Sequence, residues 1–160
     1  ASIVQKQFEN RTVRKSYLTR VHGHPQRDSF FCDAALSCEP EHGGVRILDP
    51  QGDQAYTDFE VVERFSDGAS LIRCFPKTGR TNQIRVHLWS LGFPICGDPA
   101  YLPENGLGSN RTLLPTEPVM CLHAESIAFS GPDQEILQFS DVPPAWADAA
   151  LRAECSEVPR

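Results

Sequence analysis

The 160 residues are enough for one ordinary domain and too few to expect two. Apolar residues make up 40% and charged residues 22%, so a packed core is feasible. No stretch approaches the roughly 18 consecutive apolar residues of a membrane-spanning helix, and neither terminus reads as a targeting signal. The formal net charge of −6 argues weakly against a nucleic-acid binder, but its distribution matters more than the sum. Lys6, Arg11, Arg14, Lys15 and Arg20 crowd the first twenty residues against Glu9 alone. Between Gly68 and Gly97 there is no Asp or Glu, while Arg73, Lys77, Arg80 and Arg85 fall there. On charge alone, a solvated face is the simpler reading of either stretch.

In chain order, residues 2–10 carry Ile3, Val4, Gln7 and Phe8 at helical spacing. From Arg11 to Arg20 the pattern alternates, Val13, Lys15, Tyr17 and Thr19 against Arg14, Ser16, Leu18 and Arg20, which predicts a strand stopped by Gly23 and Pro25. Residues 29–38 are a short apolar segment before an acidic, Gly-containing turn at 39–44. The turn Asp49-Pro50-Gln51-Gly52 leads into a β-prone run, and Asp67-Gly68 marks a hairpin into a strand over Ala69–Phe75. Ile84, Val86–Trp89 and Leu91 form an amphipathic stretch, and residues 102–118 read as a long surface loop. Residues 119–131 predict a strand, 135–142 its hairpin partner, and 145–155 a short alanine-rich helix. The sum is an α+β fold with a mixed, predominantly antiparallel sheet and a few flanking helices. Six cysteines, at 32, 38, 74, 96, 121 and 155, form no Cys-x-x-Cys pair. Buried free thiols in a reducing intracellular compartment account for them better than a metal site does.

The strongest feature is Lys77-Thr78-Gly79-Arg80-Thr81-Asn82-Gln83-Ile84-Arg85-Val86-His87. Hydroxyl and amide donors sit among three cations around a Gly-containing turn, which suits an anionic ligand such as phosphate. It lacks the Gly-Lys-Ser/Thr ending of a Walker A loop. A turn with solvent-facing arginines explains the same residues equally well.

This stretch closely resembles the signature of RluA-type RNA pseudouridine synthases, TGRTHQIRVH followed by G-x-P-I-x-G-D-x-x-Y. The second part stands here as Gly92-Phe-Pro94-Ile95-Cys-Gly97-Asp98-Pro-Ala-Tyr101. The strand around Tyr17 and the run Cys121–Phe129 resemble two further family segments, in family order. Asn82 departs from the family pattern, which has His there; Asn hydrogen-bonds but carries no proton near neutral pH.

The resemblance implies an isomerase that converts uridine to its carbon-linked isomer in transfer or ribosomal RNA. It implies no cofactor and no metal, and neither membrane nor DNA as partner. Tyr17 is expected to stack on the flipped base or assist proton removal, and Arg85 to pair with the nucleophilic aspartate. Arg14, Lys15, Lys77, Arg80, Asn82 and Gln83 are expected to contact RNA, whereas His87, Asp98 and Tyr101 are expected to serve structure. The family nucleophile lies in a His-Arg-Leu-Asp segment preceding the helix at 2–10, and no such segment occurs among the 160 residues. Residues 1–150 are thus expected to form a partial catalytic domain, inactive alone, with 151–160 as a tail and Arg85 lacking its carboxylate. The alternative is a non-catalytic RNA-binding or regulatory module derived from the same fold.

Overall fold

In the computed structural model, which describes residues 3–147, the chain opens on helix α1 (Ile3–Glu9) and enters strand β1 (Arg14–His22). β2 (Ser29–Cys32) and a one-turn 3-10 helix at His42–Gly44 follow, then the hairpin of β3 (Thr57–Arg64) and β4 (Ala69–Pro76). Helix α2 (Gln83–Ser90) leads through a long loop to a second hairpin, β5 (Leu122–Ser130) and β6 (Ile136–Ser140). The strands form one six-stranded sheet in the order β2-β3-β4-β1-β5-β6. Every pairing in it is antiparallel, so the sheet is less mixed than the sequence predicts.

The alternation of β1 decides which residues face the site. Tyr17 and Val21 face α2, whose Ile84 and Leu88 lie one turn apart and pack with Phe59, Ile72, Cys74 and Ile95. Leu18 points the other way, into a second cluster with Leu71 and Ala147. Val86 of α2 reaches a third, with Leu36, Val45 and Tyr101. The register between β1 and β5 slips between Ser16 and Tyr17, leaving Glu125 bulged. The Glu125 carboxylate then takes both Arg73 Nε at 2.8 Å and the Ser16 hydroxyl at 3.0 Å.

Gly97 makes the close approach that seats the post-helix loop on the sheet. Its φ is +78°, and a Cβ there would lie 2.1 Å from the Val119 carbonyl oxygen, so only glycine fits. Beside it the Cys121 amide donates to Cys96 O at 2.9 Å.

The predicted elements at 2–10, 69–75, 119–131 and 135–142 appear with their ends shifted by a few residues, and the predicted strand at Arg11–Arg20 runs on to His22. Two differ more. The apolar segment at 29–38 is a strand only to Cys32; beyond it, isolated bridges from Leu36 to Leu48 and Asp53 hold the chain as a coil. The alanine-rich stretch at 145–155 lies mostly outside the described residues. Cys32, Cys74 and Cys121 are buried free thiols, and Cys38 is exposed. Burial pushes Cys74 up to about 12 and Cys121 up to about 11.

Candidate active site

The turn at 77–82 is held from below by one buried amide. Gln83 Oε1 accepts from the Thr78 hydroxyl at 2.6 Å and the Arg80 amide at 3.0 Å. Its Nε2 donates to Tyr56 O at 3.0 Å and to Thr57 Oγ1 at 2.9 Å. Thr57 Oγ1 in turn lies 2.9 Å from His87 Nδ1, and His87 Nε2 lies 2.9 Å from Ala34 O. A carbonyl can only accept, so Nε2 carries the proton and Nδ1 accepts from the Thr57 hydroxyl. His87 is thus a fully partnered core residue, and burial lowers its pKa. Gln83 is only 4% exposed with both ends of its amide engaged. Gln83 shapes the loop that carries Lys77 and Arg80, and it also lines the cleft between α2 and β1.

The opposite side of α2 carries Arg85, and here the geometry overturns an expectation. Arg85 is not short of a carboxylate. Its Nε donates to Asp98 Oδ2 and its Nη2 to Asp98 Oδ1, both at 2.7 Å. Nη1 donates to Asn82 Oδ1 at 3.0 Å and to Asn110 Oδ1 at 2.9 Å. The guanidinium carbon also lies 5.0 Å from the centroid of the Tyr101 ring. Asp98 further accepts the Ala100 amide at 2.9 Å and the Tyr101 amide at 3.2 Å, fixing the loop after Gly97. The Tyr101 hydroxyl is clamped by the backbone of Arg46, accepting from its N–H at 2.8 Å and donating to its carbonyl at 2.9 Å. Asp98 thus fixes the loop after Gly97 and neutralises Arg85.

Between this network and β1 lies a cleft of about 370 Å³. Tyr17 and Arg85 both line it, with Lys15, Arg80 and Asn82 at the polar rim and Ile84, Met120 and Leu122 as an apolar wall. Two residues separated by almost seventy positions thus meet across one opening, because β1 runs beside the strand that leads into α2. Asn82 sits at φ 58°, a left-handed conformation that Asn and His tolerate better than most residues. Its carboxamide is spent on Arg85, with a 3.5 Å contact to the Tyr101 hydroxyl. Arg80 Nε donates to Gln54 O at 3.0 Å and its Nη1 lies 3.9 Å from Asp53. Lys77 lies 3.7 Å from Asp58, an exposed pair of the kind that contributes little. Lys77 and Arg14 do not reach the cleft; both line an adjoining groove.

Asn110, Met120 and Leu122 are site residues that the sequence does not reveal. Asn110 lies in the loop read as mere surface, and no local pattern marks it; its amide donates to Gly43 O at 2.8 Å, and this holds the side chain over Arg85.

An antiparallel sheet thus backs one helix, and Tyr17 and the carboxylate-bound Arg85 face one cleft. The chain belongs to the RNA pseudouridylate synthase family, whose sequence model matches residues 1–90. It is 35% identical to the dual-specificity RNA pseudouridine synthase RluA of Pasteurella multocida, over 89% of this chain and 63% of that protein. To an RNA pseudouridine synthase of Bacillus subtilis, YlyB, it is 36% identical over 79% of this chain and 39% of the relative. The structure superimposes on human RNA Pseudouridylate Synthase Domain Containing 1 with a TM-score of 0.70 and 28% identity, covering 93% of this chain and 61% of that one. Human RNA Pseudouridylate Synthase Domain Containing 4, at 23% identity and a TM-score of 0.68 over 89% and 62%, shares the fold. The chain spans about three fifths of the length of the RluA relatives it matches.

Proposed function

We propose that these residues form the base-binding half of the active site of an RNA pseudouridine synthase, acting on uridine in transfer or ribosomal RNA. The observation that carries the reading is the shared cleft of Tyr17 and Arg85 with a cationic rim. A uridine leaves its stack at a cost of about a few kcal/mol and enters beside the Tyr17 ring, which can stack on it. The nucleophile of the family is the aspartate of a His-Arg-Leu-Asp segment, which the 160 residues do not contain. Its carboxylate bonds to the ribose C1′ as the C1′–N1 bond breaks, the freed uracil turns, C1′ passes from the carboxylate to C5, and the C5 proton leaves to a base while N1 takes one up.

Arg85 acts in this scheme as an oriented donor rather than a free cation. Four of its five N–H bonds are taken by Asp98, Asn82 and Asn110, and one on Nη2 is left for the incoming carboxylate or the uracil carbonyl. Asp98 cancels its charge, so the nucleophile is positioned by geometry more than by net attraction.

One observation favours a second reading, a non-catalytic RNA-binding module: among the described residues no Asp or Glu lines the cleft. Tritium release from RNA carrying 5-tritiated uridine separates the two. The chain is assayed beside a version extended upstream to carry the family segment. Release by the extended version alone supports the synthase with an external nucleophile. Release by the 160 residues themselves overturns the external nucleophile, and silence from both with RNA binding intact favours the module.

A further inference from the structure

A groove leads out of the Tyr17–Arg85 cleft toward the start of β1, between residues 11–16 and the turn at 75–80. Its two parts, of about 280 and 310 Å³, share Arg11, Val13, Lys15, Pro76 and Lys77 and so run together. Lys15 and Arg80 line both this groove and the cleft, which makes the two continuous. Its floor is apolar, from Val13 and Pro76, and its rim is cationic, from Arg11, Arg14, Lys15, Lys77 and Arg80. No Asp or Glu lines either part.

That segregation stands out in a chain with 21 acidic and 15 basic residues. Among the described residues no rim cation sits in a close carboxylate pair. Arg11 and Arg14 are exposed, and neither has a carboxylate within ion-pair distance among the described residues. Lys15 rests 5.1 Å over the Phe8 ring, which leaves its ammonium open to an anion. Lys77 and Arg80 reach their carboxylates only at 3.7 and 3.9 Å, contacts that a phosphate can displace. Cations above an apolar floor fit a strand whose phosphates ride the rim while its sugars and bases lie against carbon.

We propose that this groove holds the sugar–phosphate backbone of the RNA on one side of the nucleotide that enters the cleft, with Arg11 and Arg14 as phosphate contacts at its far end. The proposal rests on the synthase reading and adds to it a polarity: this groove grips one flank of the target. Such contacts add affinity and register rather than sequence choice.

The test is fluorescence anisotropy with a labelled single-stranded RNA carrying a central uridine, titrated between about 50 and 200 mM salt. Each phosphate neutralised on a single strand contributes about 0.7 to the slope of log K against log salt, so the Arg11→Gln/Arg14→Gln double variant lowers that slope by about 1.4. Arg27→Gln, exposed in the loop between β1 and β2, removes a charge outside the groove and leaves the slope unchanged. Cutting the RNA back on one side of the uridine abolishes the effect of the double variant, and cutting the other side preserves it. An unchanged slope in the double variant, an equal loss in Arg27→Gln, or insensitivity to which flank is cut overturns the groove and leaves the synthase reading intact. Failure of the unsubstituted chain to bind any RNA overturns both.

Discussion

Arg85 and Asp98 meet in a two-pronged ion pair, 2.7 Å on each prong, whose side chains are 9% and 0% exposed. The arginine comes from α2 and the aspartate from the loop after Gly97, so the pair ties the helix to that loop. Both prongs of the fork are matched and the carboxylate takes two backbone amides besides. This is the geometry in which a buried pair is worth its desolvation.

Removing one partner leaves the other charged and buried. Asp98→Ala is expected to cost about 3–5 kcal/mol, read as a lower urea midpoint at unchanged m-value. Arg85→Met combined with Asp98→Leu removes both charges and is expected to recover part of that loss. A single-variant cost below about 1 kcal/mol would mean that water reaches the pair and that it behaves as a surface contact.

His87 makes stability depend on pH. Burial lowers its folded pKa, with the Ala34 carbonyl and the Asp33 charge opposing in part. An unfolded histidine takes up a proton near pH 6.5, whereas folded His87 resists it until lower pH. The unfolded state therefore binds more protons below about pH 6.5, and stability falls as pH falls through that window. The contribution is complete above it. Melting temperatures at about pH 7.5 and 5.5 should differ more for the parent chain than for His87→Gln; parallel curves would remove His87 as the cause.

Gln83→Leu tests whether the signature loop is organised by its one buried amide. The substitution strands the Thr78 hydroxyl and the Arg80 amide without their acceptor, at about 1–3 kcal/mol per buried group left unmade. Faster hydrogen exchange at the Arg80 amide, out of proportion to the global loss of stability, is the expected signature. Exchange that follows global stability alone would show that the loop is held elsewhere.

Much of this arrangement is legible in the linear chain. The alternation through Val13–Thr19 marks β1, the Asp67-Gly68 turn marks the β3–β4 hairpin, and the 77–87 signature marks the site. Those signals are local, since turn chemistry and side-chain periodicity depend on neighbours a few residues away. The division of labour inside the signature is not legible. Gln83, expected to contact RNA, and Arg85, expected to pair with the nucleophile, stand two positions apart, and nothing local assigns their partners until α2 exists. The helix rotates them by about 200° relative to each other, which turns one toward Thr57 and the other toward Asp98.

The same limit explains Arg85 and Asn110. Motifs that resemble the family in family order were sufficient for the family, and periodicity with turn signals for the α+β class. They could not supply the partner of Arg85, because Asp98 is thirteen positions away in sequence and Asn110 lies in a loop without periodicity. Those contacts depend on the left-handed turn at Gly97, which brings the following loop back over α2. Local sequence encodes backbone preference and polarity; which buried charge meets which is set by long-range packing, where desolvation penalises every arrangement that leaves Arg85 alone.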